Sequence, residues 1–375
     1  MPISLFIAGD VVPRINSAES FKVNGERIFR EIKPYMKAAD MAIANLEAPV
    51  ITGNPSPIKK SGPCLHTSAS TVEVLKEAGF TTLTIANNHF FDQGQAGVEA
   101  TIDICNRHGI QTTGGGKTYS QARRPLVSEC QGKRIAVINA CEHEFSVATN
   151  EHGGSNPLDL IGMQEDISAV RRDADFVVLI VHGGVELYQY PTPRMKRWYR
   201  HFVDLGADVV VNHHQHCMNG YETYRGKPIF YGLGNFYFPQ LEGTPRYESW
   251  GYGYAVSLTL GEDIHFDMVP YRQDGDGIVL RDRDVFRKEM ELLNLPIADD
   301  YLLQQKFDEH ILNNENSMKE QLLPSFLRGR LLSGLARRGL LGKMYKGRHV
   351  FALKNKLNCE SHQEMLMRLF AILTK

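Results

Sequence analysis

Residues 206–216 read Gly-Ala-Asp-Val-Val-Val-Asn-His-His-Gln-His. Three β-branched residues, Val209–Val211, run straight into three imidazoles. A helical pattern over Arg194–Leu205 precedes them and stops at Gly206, a residue that accepts the left-handed conformation at a helix end. The unit is therefore helix, glycine, buried strand and then a strand end rich in metal-capable groups. Working outward, the same unit recurs. Apolar runs at Ser4–Ala8, Met41–Ala44, Thr81–Ile85, Arg134–Ile138, Phe176–Val181 and Pro228–Tyr231 alternate with helical patterns such as Ser68–Ala78 and Gln95–Arg107. Near-continuous hydrophobicity in the strands predicts a sheet buried on both faces, in an α/β layered fold. Beyond Tyr231, the runs Tyr254–Leu260 and His265–Val269, joined at 261–263, predict an antiparallel hairpin.

From about residue 282 the pattern turns helical, with helices predicted at Lys288–Leu295 and Asp299–Asn313. We expect a main domain over residues 1–280 and a helical C-terminal extension over 281–375. The segment 321–358 holds nine Lys or Arg and no Asp or Glu. It reads as a helical cap with a solvated basic face, or as a peripheral contact with anionic lipid or polymer.

The chain has 375 residues and a formal net charge of −1. That balance, with no basic groove interleaved with aromatics, speaks against nucleic acid as partner. No stretch approaches the roughly 18 apolar residues of a membrane span. The N-terminus carries no basic region ahead of its apolar run. The six cysteines form no CxxC pair. Together these features predict a cytoplasmic protein with reduced thiols, soluble or peripheral at the membrane.

The strand ends carry the chemistry. They read Gly9–Asp10, then Asn45–Leu46–Glu47, then Asn87–Asn88–His89 with Asp92, then His182–Gly183–Gly184, then His213–His214–Gln215–His216, then Gly234–Asn235. Each alone is weak: a lone Asp after a strand is usually a turn residue, and a lone buried His usually a satisfied core group. Their repetition at successive strand ends is specific, because ligands bind at the carboxyl edge of such sheets. Alternate positions of a strand face one way, so His214 and His216 are expected to reach one site from a strand. Carboxylates, an amide carbonyl and imidazoles suit Zn, Mn or Fe better than Ca. Two such ions, roughly 3.5–4 Å apart, form a hydrolytic clamp.

These spacings resemble the calcineurin-like metallophosphoesterases, and more closely their CapA branch, often called the poly-γ-glutamate capsule synthesis family. The matching strings are GDVV at 9–12, NLEAPV at 45–50, ANNHFFDQG at 86–94, HGGVELYQYPTP at 182–193, GADVVVNHHQH at 206–216 and FYGLGNFYF at 230–238. The resemblance implies central mixed β-sheets flanked by helices. It implies a centre of divalent transition metals, two in number, held by Asp10, Glu47, Asn88, His182, His214 and His216. His89 would donate to the substrate oxygen, with Asp92 beside it. Asn45, Asn87, Glu186, Asn235 and His143 would orient ligands or substrate. The implied activity is hydrolysis of a phosphoester or a glutamyl amide by metal-bound hydroxide, in capsule or exopolymer synthesis. A non-catalytic accessory subunit of a polymer synthase, gripping an anionic polymer, is the rival; a nuclease of the same fold is a weaker one.

The chain departs from the wider superfamily in three places. Val12 stands where the Asp-x-His pattern has an imidazole, which puts the second metal in question. Glu47 replaces a bridging Asp. Gly183–Gly184 replaces His-Trp-Gly's aromatic and is expected to open the pocket mouth. The segment Glu142–His143–Glu144 follows another strand and reads either as added ligands and a general acid or as a solvated loop.

Overall fold

The structure is a computed structural model, which describes residues 2–13, 15–240, 247–274, 277–314 and 348–373, the side chains of 15–20 and 348–350 excepted. Most of the basic segment, up to residue 347, lies outside the described residues.

The buried runs form two sheets rather than one. The larger has the order Gly277–Leu280, Ile264–Asp274, Tyr252–Leu260, Ile3–Val11, Met41–Leu46, Thr82–Thr84 and Gln111–Thr113, with Asn235–Tyr237 pairing alongside Ile3–Val11. The smaller has the order Tyr221–Tyr224, Lys227–Phe230, Val209–His213, Phe176–His182, Lys133–Cys141 and Leu126–Cys130. Both are mixed. The strands nearest the centre run parallel, as in the Phe176–His182 to Val209–His213 pair, and the hairpin Tyr252–Leu260 with Ile264–Asp274 is antiparallel as expected.

Side-chain alternation explains the layering. Ile3, Leu5 and Ile7 of the larger sheet pack against Val178, Ile180, Val209 and Val211 of the smaller. The intervening Phe6 and Ala8 point the other way, into a core with Phe29, Val72, Leu75 and Val98 from the helices. Val177, Leu179 and Val181 likewise face Met163, Tyr199 and Phe202 of the helices over the smaller sheet. The result is helix, sheet, sheet, helix. Every strand in the middle is hydrophobic on both faces because one face meets helices and the other meets a sheet.

The helices begin and end where local chemistry directs. Pro193–Asp204 starts with Thr192 accepting from the Met195 amide and with proline at its first turn. Ala69–Ala78 stops at Gly79, whose φ of 119° only glycine takes easily. Helix Arg283–Ala298 sends Phe286, Met290 and Leu293 into the inter-sheet core, and Asp300–Asn313 follows it. The last helix, Glu360–Leu373, closes over the Val185–Tyr188 loop through Leu366 and Leu369, beside Phe307 and Ile311 of Asp300–Asn313; Arg348–Asn358 precedes it.

Candidate metal centre

Strand register assembles the site. Asp10 lies opposite Asn45 on one side and Asn235 on the other, and His182 lies opposite His213. The strand beside Asp10 comes close only because Gly9 has no side chain: a Cβ there would sit 1.9 Å from the Gly234 carbonyl oxygen. Asn45 Nδ2 then donates to Asp10 Oδ1 at 2.7 Å and lies 3.3 Å from His182 Nδ1. The two sheets are joined by the His214 amide, which donates to Asp10 Oδ2 at 3.2 Å.

His214 and His216 converge, but not from a strand. The strand ends at His213, and both residues hold positive φ, 91° and 54°. The expectation of a strand alternation is corrected: a tight loop in a sparsely populated conformation turns both rings inward. Such strain in non-glycine residues concentrates where function holds it.

The six expected ligands do come together. His182 Nε2 is 3.1 Å from Asn88 Oδ1, 3.1 Å from His214 Nδ1 and 3.7 Å from Glu47 Oε1. His216 Nε2 is 3.7 Å from Glu47 Oε1, and His216 Nδ1 is 3.7 Å from Asp10 Oδ2. Three groups can each surround an ion: Glu47 with His182 and His214, Asp10 with Glu47 and His216, and Glu186 with His214 and His216. Glu47 belongs to two of them. Glu186 is the exposed member, at the rim.

The fit to a cation is tested by Glu47. Its carboxylate is wholly buried, and neither oxygen has a hydrogen-bond partner. Burial pushes its pKa well up, and the charges of Asp10, Glu186 and Glu144 push it further. A buried carboxylate among carboxylates is costly unless a cation sits beside it. Ligands about 2.0–2.2 Å from one zinc-like ion lie some 3–3.7 Å apart, which is the spacing seen here. Burial also drives His182 well below its ordinary value, with the neighbouring imidazoles adding to the effect, so it is held as the neutral ligand form.

Among the residues expected to orient ligands, Asn45, Asn87 and Asn235 contact the candidate ligands or one another. Asn235 Oδ1 lies 2.9 Å from His216 Nδ1, as outer partners of ligating imidazoles do. Asn87 donates to Asn45 Oδ1 and to the Leu46 carbonyl while accepting from the His89 amide. Asp92 Oδ2 lies 2.6 Å from His89 Nδ1 and accepts the Leu65 amide.

Two residues escaped the sequence. Lys60, 7% exposed, bridges to Asp92 and lies 3.3 Å from His89 Nδ1. The Trp250 ring lies over His216 at 4.6 Å. Lys60 sits in a Pro- and Gly-rich loop with no periodicity, so no local signal marked it.

His143 is placed apart from the ligand groups. It turns to the C-terminal helix, where Nδ1 lies 2.5 Å from Glu360 Oε1. The hydrogen bond to Glu360 raises its pKa, and burial opposes this. The folded value therefore lies above the unfolded ~6.5. Its stabilisation is complete below that pH and disappears as pH rises through the folded value. Hydrogen exchange of helix Glu360–Leu373 should accelerate as pH rises above about 6.5 beyond the intrinsic rate, by an amount that His143→Gln removes. Identical corrected profiles in the two proteins would refute the coupling.

Glu144, from the same segment, does reach the rim, with Oε1 3.8 Å from His214 Nε2. Val12, at the missing imidazole position, is buried with Ala48, Leu65 and Phe238 in an apolar cluster. Gly183 does not open the mouth. Glu142 fills that space, with its Cγ 2.6 Å from where a Cβ would be. The correction has a physical reason: the small residue admits a buried carboxylate behind it rather than solvent.

A two-sheet core carrying carboxylates and imidazoles at the meeting strand ends defines an α/β protein with a cluster of groups able to hold a metal ion. Residues 4–240 match the family described as "Bacterial capsule synthesis protein PGA_cap", and the chain belongs to that family. It is similar to "Capsule biosynthesis protein CapA" of Bacillus anthracis, 31% identical over 64% of this chain and 60% of that one. It is also similar to "PGA biosynthesis protein CapA" of Bacillus subtilis, 32% identical over 57% of each. A third relative is a "Probable polyglutamine synthesis accessory protein" of Mycobacterium tuberculosis, 25% identical over 63% of this chain and 66% of that one. The chain matches about three fifths of the length of these curated relatives. No helix among the described residues is long and apolar enough to cross a membrane.

Proposed function

We propose that this chain is a metal-dependent hydrolase of capsule or exopolymer synthesis, acting on a phosphoester or a glutamyl amide. The observation that carries the reading is the buried, unpartnered carboxylate of Glu47 facing His182 and His216. Asp10, Glu47, Asn88, His182, His214 and His216 would hold the metals, Zn, Mn or Fe by donor type. When bound, such ions supply Lewis-acid activation of a water and of the substrate oxygen. The chain's own residues orient the rest. Asn45 fixes Asp10, Asn235 fixes His216, and Asp92 engages His89 at Nδ1. That leaves His89 Nε2 as the ring atom for the substrate oxygen.

The apolar setting of Val12 and the word "accessory" in one relative's name favour a second reading, a binding subunit of a polymer synthase. On either reading the partner is an anionic polymer or its phosphorylated precursor, met in the cytoplasm or at the membrane face. We take residues 1–280 as the body of the site and 281–375 as its extension.

The test is metal content per chain, for the wild type and for His214→Ala, followed by turnover of an aryl phosphate and a γ-glutamyl amide. About two transition-metal ions in the wild type, at least one fewer in the variant, and metal-dependent turnover are expected. Metal without turnover of either substrate class supports the binding subunit. No metal, even from added Mn²⁺ or Zn²⁺, sinks the hydrolase.

A further inference from the structure

A cavity of about 470 Å³ lies beside the metal centre, within the size range of small-molecule sites. Val185, Glu186 and Leu187 form one wall; Lys356, His362 and His310 are on the other. Glu186 also belongs to the group with His214 and His216, so the cavity and that group share a residue. That wall of nitrogen-bearing side chains comes from helices Arg348–Asn358, Glu360–Leu373 and Asp300–Asn313, beyond residue 240 where the family match ends.

Those helices are fastened, not merely adjacent. Glu142, behind Gly183, accepts from Arg194, from the Ser361 amide at 3.1 Å and from Ser361 Oγ at 2.8 Å. Glu364 accepts from the Arg194 amide at 3.0 Å and from Thr192. Asn355, one residue before Lys356, donates to Glu144 Oε2 at 2.9 Å. The wall is thereby tied to the strand ends that carry the centre.

Within that wall, Lys356 forms no ion pair among the described residues, although burial disfavours its charge and depresses its pKa. His362 Nδ1 is buried with no hydrogen-bond partner. That nitrogen is shielded from the cavity, so the call for anionic oxygen comes from the Lys356 ammonium, which lines the cavity with His362 and has only Cys359 and the charge of Glu144 to favour it.

We propose that this cavity is an anion subsite, in which Lys356 and His362 seat a carboxylate or phosphate group of the substrate away from the bond being cut. The proposal rests on the hydrolase reading for the word substrate, and on the cavity alone for the binding. It makes the C-terminal helices the specificity wall of this particular chain.

The test is equilibrium binding to the full chain in the presence of Mn²⁺. The probes are γ-linked triglutamate, the same peptide with every carboxylate amidated, and phenyl phosphate. Lys356→Met should weaken triglutamate, phenyl phosphate or both by about tenfold and leave the amidated peptide unchanged, and Lys356→Arg should restore much of the loss. The probe that responds names the anion. Metal content and thermal midpoint of Lys356→Met should match the wild type, which separates a lost contact from a lost fold. Absence of anion binding by the wild type, or equal affinities in wild type and Lys356→Met, overturns the proposal. A chain that hydrolyses nothing but shows the charge-selective loss keeps the subsite and loses the hydrolase.

Discussion

Replacing Glu47 with Gln should empty the metal centre and, in the same stroke, make the metal-free protein more resistant to alkaline destabilisation. The side chain is wholly buried, both oxygens lack partners, and His182 and His216 face it at 3.7 Å. Glutamine keeps the volume but removes the anion that two of the three ligand groups share. Loss of at least one ion and a fall in turnover of about 100-fold or more are expected, beyond the 10–100-fold typical of outer-sphere partners. In the chelated protein the sign reverses. Burial and the charge of Asp10 raise the Glu47 pKa well above its ordinary value, so the folded chain binds a proton that the unfolded chain releases above about pH 4.3. Its contribution is therefore complete below that pH and is lost as pH rises toward the folded value. The slope is up to about 1.4 kcal/mol per pH unit. Urea unfolding of both chelated proteins between about pH 5 and 8 reads it directly. A wild type whose pH profile parallels that of Glu47→Gln would show that Glu47 carries no such penalty.

Arg194→Met should be the most destabilising surface-adjacent substitution outside the hydrophobic cores. Arg194 pairs with Glu142 and with Glu364 at 3.1 Å, and also donates to Ser361 Oγ at 2.9 Å. Glu142 is 3% exposed. Burial acts to raise its carboxyl, and Arg194, with help from Ser361 and His214, more than offsets this, so the group stays below its ordinary value and charged. Removing the guanidinium strands a buried carboxylate, at a cost of about 3–5 kcal/mol. The double change Arg194→Met with Glu142→Gln should recover part of it, because the stranded charge is gone. Denaturant midpoints of the wild type, both single variants and the double variant complete the cycle. Additive losses would mean that Arg194 and Glu142 do not stabilise one another.

How much of this was legible in the sequence depends on how local each cause is. The strands, the helices and the closing hairpin followed from runs, periods and glycines, and all occur close to their expected places. The candidate ligand residues were legible because each lies at or just beyond the end of a strand, and strand ends share an edge. The number of sheets was not. A strand covered by helices on both faces and one covered by helices and a second sheet are equally apolar, and only packing of Ile7 against Val178 and its neighbours separates them. The His214–His216 pair was legible as a pair, but its loop conformation was not, since positive φ in histidine is imposed by surroundings rather than by propensity.

By itself, then, the sequence determined the layered α/β class, the strand ends and the candidate donor residues, because these depend on side-chain type and on spacings of a few residues. Tertiary structure alone decided what lies across the gaps: Lys60 against Asp92, Glu142 in the space Gly183 vacates and His143 on Glu360. Those contacts join residues about 30 to more than 200 positions apart. No short-range pattern encodes such a meeting, because it forms only when two sheets and the final helices have closed on one another.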